Sequence, residues 1–185
     1  MRVTRLHYEG NLTPESTVVL PKESAHYLIN VLRLNSGDTV YLFNEQFGEF
    51  IGRMEKATMQ DVTIIIESQH RTPEPPSLII QLGLGLSKGY RMDYAIQKST
   101  ELGVSSITPL YTQYSEVRFN KTKRLETKLQ HWRRIAVSSC EQSGRLSNPE
   151  IHPPMSIEDW LGSPNKSCRL ILDLRGAKTL ENLEI

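Results

Sequence analysis

The stretch RTPEPPS at 71–77, with three prolines in seven residues, divides the chain more sharply than any other feature. Proline fixes φ and removes a backbone donor, so such a stretch favours an extended connection and continues neither a helix nor the interior of a sheet. The patterning differs on its two sides, which sets a domain boundary between residues 1–72 and 73–185. Before it, STVVLP (16–21), DTVYLFN (38–44), GEFIGRME (48–55) and DVTIIIES (61–68) are rich in β-branched and aromatic residues, with turn formers between them. They read as the strands of a small barrel. One helix interrupts them at 21–34, where Ala25, Leu28, Ile29 and Leu32 share a face and Asn35 and Gly37 follow as a stop.

After the boundary the pattern becomes strand 78–84, helix 90–102, strand 107–112, helix 122–142 and strand 168–174. Such alternation predicts a parallel sheet covered by helices. Leu125, Leu129, Trp132 and Ala136 lie near one face of the second helix, so Trp132 is read as core rather than as a stacking platform. Open α/β sheets bind ligands at the carboxyl ends of their strands. The loops 84–89, 113–121 and the one after Leu174 are therefore the places to look for a site.

Composition narrows the class. A chain of 185 residues with 38% hydrophobic and 23% charged residues has the make-up of a soluble globular protein. It shows no 18-residue apolar run and no apolar leader, so a cytoplasmic location without membrane attachment is expected. Cys140 and Cys168 lack metal-ligand spacing, and His7, His26, His70, His131 and His152 are scattered singly, so no metal is expected. The net charge of +1 conceals a local excess: residues 113–145 hold eight Lys and Arg against three acidic residues. A basic stripe in a neutral chain fits a polyanion, though a solvated helix face produces the same pattern.

Three short motifs carry possible chemistry. GLGLSKG (83–89) joins a strand to a helix, but its spacing matches neither nucleotide-binding glycine pattern, so a simple turn with Lys88 exposed is favoured over a nucleotide-dependent enzyme. In IQKSTELGV (96–104), Gln97 and Glu101 share a helical face, with Lys98 three before Glu101, as on an ordinary salt-bridged surface. CEQSGR (140–145) gathers a thiol, a carboxylate, an amide, a hydroxyl and a guanidinium around one glycine. It lacks the nucleophile elbow of a serine hydrolase.

HYLINVLRL, LGLGLSKGYRMDYAIQKSTELGVSSITPL and CEQSGR, in that order and spacing, resemble the RsmE family of 16S ribosomal RNA uridine-N3 methyltransferases from MRVTR to about Arg175. The resemblance implies an α+β two-domain protein: a PUA-like RNA-binding β-barrel over 1–72, then an α/β SPOUT-type trefoil-knot methyltransferase domain over 73–185. It implies S-adenosylmethionine as cofactor, a homodimer, and methyl transfer to N3 of a uridine, position 1498 in the usual rRNA numbering, in the small ribosomal subunit. The family continues through a GPEGG-like loop and an LGxRILRxETA-like segment, whereas this sequence ends at AKTLENLEI. The expectation is thus a partial domain without its knot segment: the resemblance makes the full-length parent the methyltransferase and leaves the activity of this stretch alone open.

Removing the N3 proton and stabilising charge on the flanking carbonyl oxygens calls for a base and a cation or donor. In the family reading Arg145 and Glu141 are the catalytic candidates. Arg2, Arg5, Arg33, Lys88, Arg118, Gln142 and Ser143 are the RNA-binding ones, and Leu172, Asp173, Leu174 and Arg175 border the cofactor. The alternative from another class is a noncatalytic rRNA-binding module.

Overall fold

The computed structural model describes residues 4–58, 61–115, 117–119, 121–164 and 168–172. Strands β1 (Arg5–His7), β2 (Thr17–Val19), β3 (Thr39–Asn44), β4 (Gly48–Ala57) and β5 (Val62–Arg71) form one sheet in the order β1-β3-β4-β5-β2. Strands β3, β4 and β5 are successive antiparallel neighbours, β2 runs antiparallel to β5, and β1 runs parallel to β3. Alternation does the sorting: Val40 and Leu42 on β3, and Val62, Ile64 and Ile66 on β5, are all buried at a period of two. Register shifts along β4 and β5 mark bulges, which bend a strand and increase its twist.

The expected closed barrel is not found. Among the described residues no ladder joins the edge strands β1 and β2, so the sheet stays open. Leu12 from the loop before β2, and Ala25 and Leu28 from the helix, complete its core with side chains. That helix, α1 (Lys22–His26), passes into a wide π turn at Tyr27–Val31. There the Leu32 N–H donates to the Tyr27 carbonyl five residues back, at 3.0 Å. A wider turn carries fewer degrees per residue. Ala25 and Leu28 therefore stay inside, while Leu32, placed on the same face by the spacing, is 36% exposed.

Residues 72–80 carry no strand or helix. Beyond them come β6 (Gln81–Gly85), α2 (Tyr90–Glu101), β7 (Ser106–Tyr111), α3 (Thr122–Ser143), β8 (Glu150–Ile151), β9 (Met155–Ser156) and α4 (Ile157–Gly162). Every pairing in this second sheet is parallel, with β6, β8 and β9 all on β7. Pro153 and Pro154 lack the N–H a ladder needs and separate β8 from β9. Met92 and Ile96 on α2 and Leu129, Trp132 and Ala136 on α3 join Ile107 in the core. Trp132 is 1% exposed, with the Phe119 ring edge-on at 6.2 Å, as its place on the helix face predicts. An Asp93 carboxylate on α2 latches the two helices, 3.2 Å from Lys128 Nζ and 2.8 Å from His131 Nε2.

Two strand expectations need correction. The first strand of this sheet starts at Gln81, leaving Leu78 and Ile79 exposed. The run from Cys168 to Leu172 forms no strand, and Leu172 is 95% exposed. An apolar run becomes a strand only with a neighbour to pair with, and the described residues supply none there. No helix among the described residues is long and apolar enough to cross a membrane.

Trp132 packs between the two helices and the sheet, so Trp132→Ala should destabilise the fold by about 3–5 kcal/mol in denaturant titration. Trp132→Phe should cost less, because the buried indole N–H has no hydrogen-bond partner. Equal losses for both substitutions would contradict this packing.

Candidate functional site

The residues of CEQSGR close the long helix α3, whose 22 residues span about 33 Å. Gly144 ends it in the left-handed region at φ +85°, where a side chain would be strained. The last carbonyls of a helix find no donors within it and carry the negative end of its dipole. Here two arginines from the first sheet supply the missing donors. Arg5 Nη1 donates to the carbonyls of Cys140 at 2.6 Å and Glu141 at 3.1 Å, and Arg5 Nη2 to that of Arg145 at 3.1 Å. Arg71 Nη2 donates to the Gly144 carbonyl at 2.9 Å.

Glu49 on β4 holds both arginines. Its carboxylate accepts from Arg5 Nε at 2.5 Å and from Arg71 Nε and Nη2 at 2.8 and 3.0 Å. Its side chain is only 3% exposed. Burial pushes the Glu49 carboxyl up, but hydrogen bonds from Arg71 and Arg5 and the nearby positive charges outweigh it and hold it below the ordinary carboxylate value. Arg145 continues the chain of contacts: its Nη1 donates to the carbonyls of Thr100 at 2.6 Å and Val104 at 3.0 Å, at the end of α2. The Glu141 carboxylate accepts from the His7 backbone N–H at 3.1 Å. Burial pushes Glu141 up, against the pull of that hydrogen bond and of Arg5. Burial likewise pushes the Cys140 thiol up to about 11, which leaves it unreactive at neutral pH.

The carboxyl ends of β6 and β7 lie at the opposite pole, where α3 begins rather than ends. Leu86, Ser87, Lys88, Arg91 and Tyr114 line a cleft of about 430 Å³ there. Gly89, at φ +59°, turns the chain from this loop into α2. Thr112 and Ser115 brace the facing loop through the Thr112 N–H, which donates to Ser115 Oγ at 3.0 Å. Tyr114 projects from it, 86% exposed. The Arg118 guanidinium lies over the Tyr111 ring at 4.9 Å, a cation–π contact.

These two poles separate the expected site residues. Lys88 and Arg118 lie at the strand-end cleft or beside it. Arg145, Glu141 and Arg5 lie at the far end of α3, and Arg5 is 10% exposed with its donors turned to Glu49 and the helix end. Gln142 and Ser143 are exposed on the last turn of α3. Arg33 is exposed at φ +58° after the π turn. Leu172 lines no described cleft, and Arg2, Asp173, Leu174 and Arg175 lie outside the described residues. Among the described residues no group of three or more His, Cys, Asp or Glu is placed to hold a metal.

Reading the sequence alone misses Glu49, Arg71, Arg91 and Tyr114. Glu49 alternates onto the face opposite Phe50, Gly52 and Met54, with Arg53 and Glu55, so the strand pattern marks it for solvent and only the end of α3 buries it. Arg91 and Tyr114 sit in the two loops that the strand-end rule selects. Nothing in their spacing singles them out.

The buried Glu141 carboxylate has its folded pKa raised, so its ionisation subtracts stability as pH rises through the ordinary carboxylate range toward that raised value. Glu141→Gln keeps an oxygen for the His7 N–H and removes the charge. Its melting temperature should equal or exceed wild type at pH 7, with any gain vanishing in acid where both states are protonated. A clear loss of stability at pH 7 would count against this account of the residue.

Comparisons with known proteins bear on the family. An RNA methyltransferase domain profile matches residues 73–185, and an RNA methyltransferase PUA domain profile matches residues 20–67. Ribosomal RNA small subunit methyltransferase E of Buchnera aphidicola subsp. Schizaphis graminum is 36% identical over 160 residues, 86% of this chain and 64% of that protein. The same enzyme from Buchnera aphidicola subsp. Acyrthosiphon pisum is 30% identical over 98% of this chain and 72% of its own length. The chain thus spans about two thirds to three quarters of these relatives. A Legionella pneumophila methyltransferase solved with the cofactor SAM superposes with a TM-score of 0.92 at 31% identity, covering 99% of this chain and 75% of that one. Ribosomal RNA small subunit methyltransferase E of Neisseria gonorrhoeae, bound to S-adenosyl methionine, gives 0.89 at 29% identity with the same coverage. With its profile matches and these identities, the chain belongs to the ribosomal RNA small subunit methyltransferase E family of RNA methyltransferases.

Proposed function

We propose that this protein methylates N3 of a uridine in 16S rRNA of the small ribosomal subunit, with residues 1–72 as its RNA-binding unit and 73–185 as its methyltransferase unit. Family membership supports rRNA methylation, and the observation that carries the site is the cationic cleft at the strand ends, with Lys88 and Arg91 in its lining and Arg118 nearby. S-adenosylmethionine would supply the electrophilic methyl group. That donor is a sulfonium cation, so a lining of Lys88 and Arg91 suits an RNA phosphate or an electron-rich uracil oxygen and repels the cofactor itself. The described residues therefore do not fit the cofactor at this cleft. Leu172, the described member of the expected cofactor-bordering set, is open to solvent.

Deprotonated N3 spreads negative charge onto the flanking carbonyl oxygens, and a fixed cation close by stabilises that charge most where water is excluded. Lys88 and Arg91 are assigned that role or the neutralisation of the adjacent phosphate, and Arg118 a phosphate contact. The exposed Tyr114 ring offers a face on which an unstacked base can lie. Arg145 and Glu141 are assigned to holding the far end of α3 rather than to touching uracil, because their polar atoms meet backbone groups there. Arg33, on the outer surface of the first unit, is kept as an RNA contact. Pairing of two copies accords with the exposed Tyr90 and Tyr94, one helical turn apart on α2. A noncatalytic rRNA-binding module would use the same basic surface and is separated from the enzyme only by a methylated product.

Incubation with methyl-labelled S-adenosylmethionine and small-subunit 16S rRNA, followed by nuclease digestion, should release label as 3-methyluridine. Label on another atom would overturn the N3 assignment, and rRNA binding without label would favour the binding module. Lys88→Ala and Arg118→Ala should each weaken rRNA binding. Each should also lower the log–log salt slope by about 0.7–0.9 for every phosphate that is no longer neutralised. An unchanged slope would remove these residues from the RNA-binding surface.

A further inference from the structure

Glu49, Arg5 and Arg71 all belong to the first sheet, and the carbonyls their assembly reaches, at 140, 141, 144 and 145, all belong to the second unit. We propose that Glu49 is a positioning residue: it aims both guanidiniums at the end of α3 and so fixes the RNA-binding unit at one angle to the methyltransferase unit. The identity of the RNA ligand rests on the function proposed above; the fixing of the angle does not.

Four observations carry this assignment. Both Glu49 oxygens are occupied: Arg71 is held through Nε and Nη2 and Arg5 through Nε, so each planar guanidinium turns its far N–H groups toward the end of α3. The covalent connection, residues 72–80, has no helix or strand to hold an angle by itself. The backbone is shaped for the cluster: Gly48 sits at φ +92°, and a Cβ there would lie 2.2 Å from the Arg71 carbonyl oxygen, so only glycine lets β4 and β5 bring Glu49 and Arg71 together. Arg145 then ties the same helix end to the carbonyls of Thr100 and Val104, just before β7, so the fixed angle is referred to the sheet that carries the cleft.

Among the described residues two other links join the units: the His7 N–H donates to the Glu141 carboxylate at 3.1 Å, and Arg134 lies 3.7 Å from Glu23 on the surface, where ion pairs contribute little. Glu49 is thus the carboxylate that aims two side chains across the joint, whereas Glu141 meets one backbone N–H there. RNA long enough to contact both units must meet them in their fixed arrangement. If the competent orientation is only a fraction of the population, apparent affinity falls by that fraction. RNA short enough to touch one unit is indifferent to it.

The test uses the whole chain with Cys168→Ser and spin labels at Glu55→Cys and Gln130→Cys, both exposed positions, one on each unit. Without further change the label–label distance distribution should be a single narrow peak. Glu49→Gln should broaden it, weaken binding of 16S rRNA about tenfold if the competent orientation drops to about a tenth, and leave binding of a uridine trinucleotide unchanged. Arg71→Met, at a half-exposed position whose guanidinium meets Glu49 and the Gly144 carbonyl among the described residues, is the second variant in case Glu49→Gln does not fold, and should act in the same direction. A narrow peak in every folded variant would overturn the positioning role. A broadened peak with unchanged rRNA affinity would overturn its service to RNA binding. Failure of the unsubstituted chain to bind rRNA would overturn the proposed function, and the distance distributions would then decide the fixed angle alone.

Discussion

A single carboxylate, Glu49, shielded from water between the guanidiniums of Arg5 and Arg71, is the interaction on which the arrangement of this chain depends. A buried charge is tolerated only when it is paired and its lone pairs are used. The same two arginines meet a second need, the orphan carbonyls at the end of α3, which would otherwise lie against the first sheet without donors. Each requirement is met by the other. Neither the carboxylate nor the helix end could be buried here alone.

This arrangement gives the two ends of the methyltransferase unit different work. The amino end of α3 and the carboxyl ends of β6 and β7 share the pole where Lys88, Arg91 and Tyr114 gather, as the geometry of parallel sheets requires. The carboxyl end of α3 is the joint. A cluster of polar residues in sequence, such as CEQSGR, therefore need not be a place where a ligand binds. Its backbone carbonyls and the Arg145 side chain serve the joint, while Gln142 and Ser143 remain exposed.

Much of the fold was legible because period-two alternation on β3 and β5 and the repeating face of α3 are direct records of burial. What escaped was set by distant partners. Strand β1 is three residues with one buried side chain, Leu6, and exists through its parallel pairing to β3. The π turn after α1 is one residue wider than the periodicity of Ala25, Leu28 and Leu32 assumes. Barrel closure depends on the two edge strands meeting, which no local pattern encodes. For the candidate cleft, the strand-end rule, not periodicity, selects the loops that hold Lys88 and Arg118. The role of Arg145 depends on carbonyls some forty residues away in the chain.

Calorimetric unfolding of the chain beside its Glu49→Gln variant at pH 7 tests the central claim most directly. If the charged cluster makes the two units one cooperative body, the unsubstituted chain gives one heat-absorption peak whose calorimetric and van't Hoff enthalpies agree, and the variant gives two. Two peaks in both proteins, or one in both, would contradict the dependence of the assembly on Glu49.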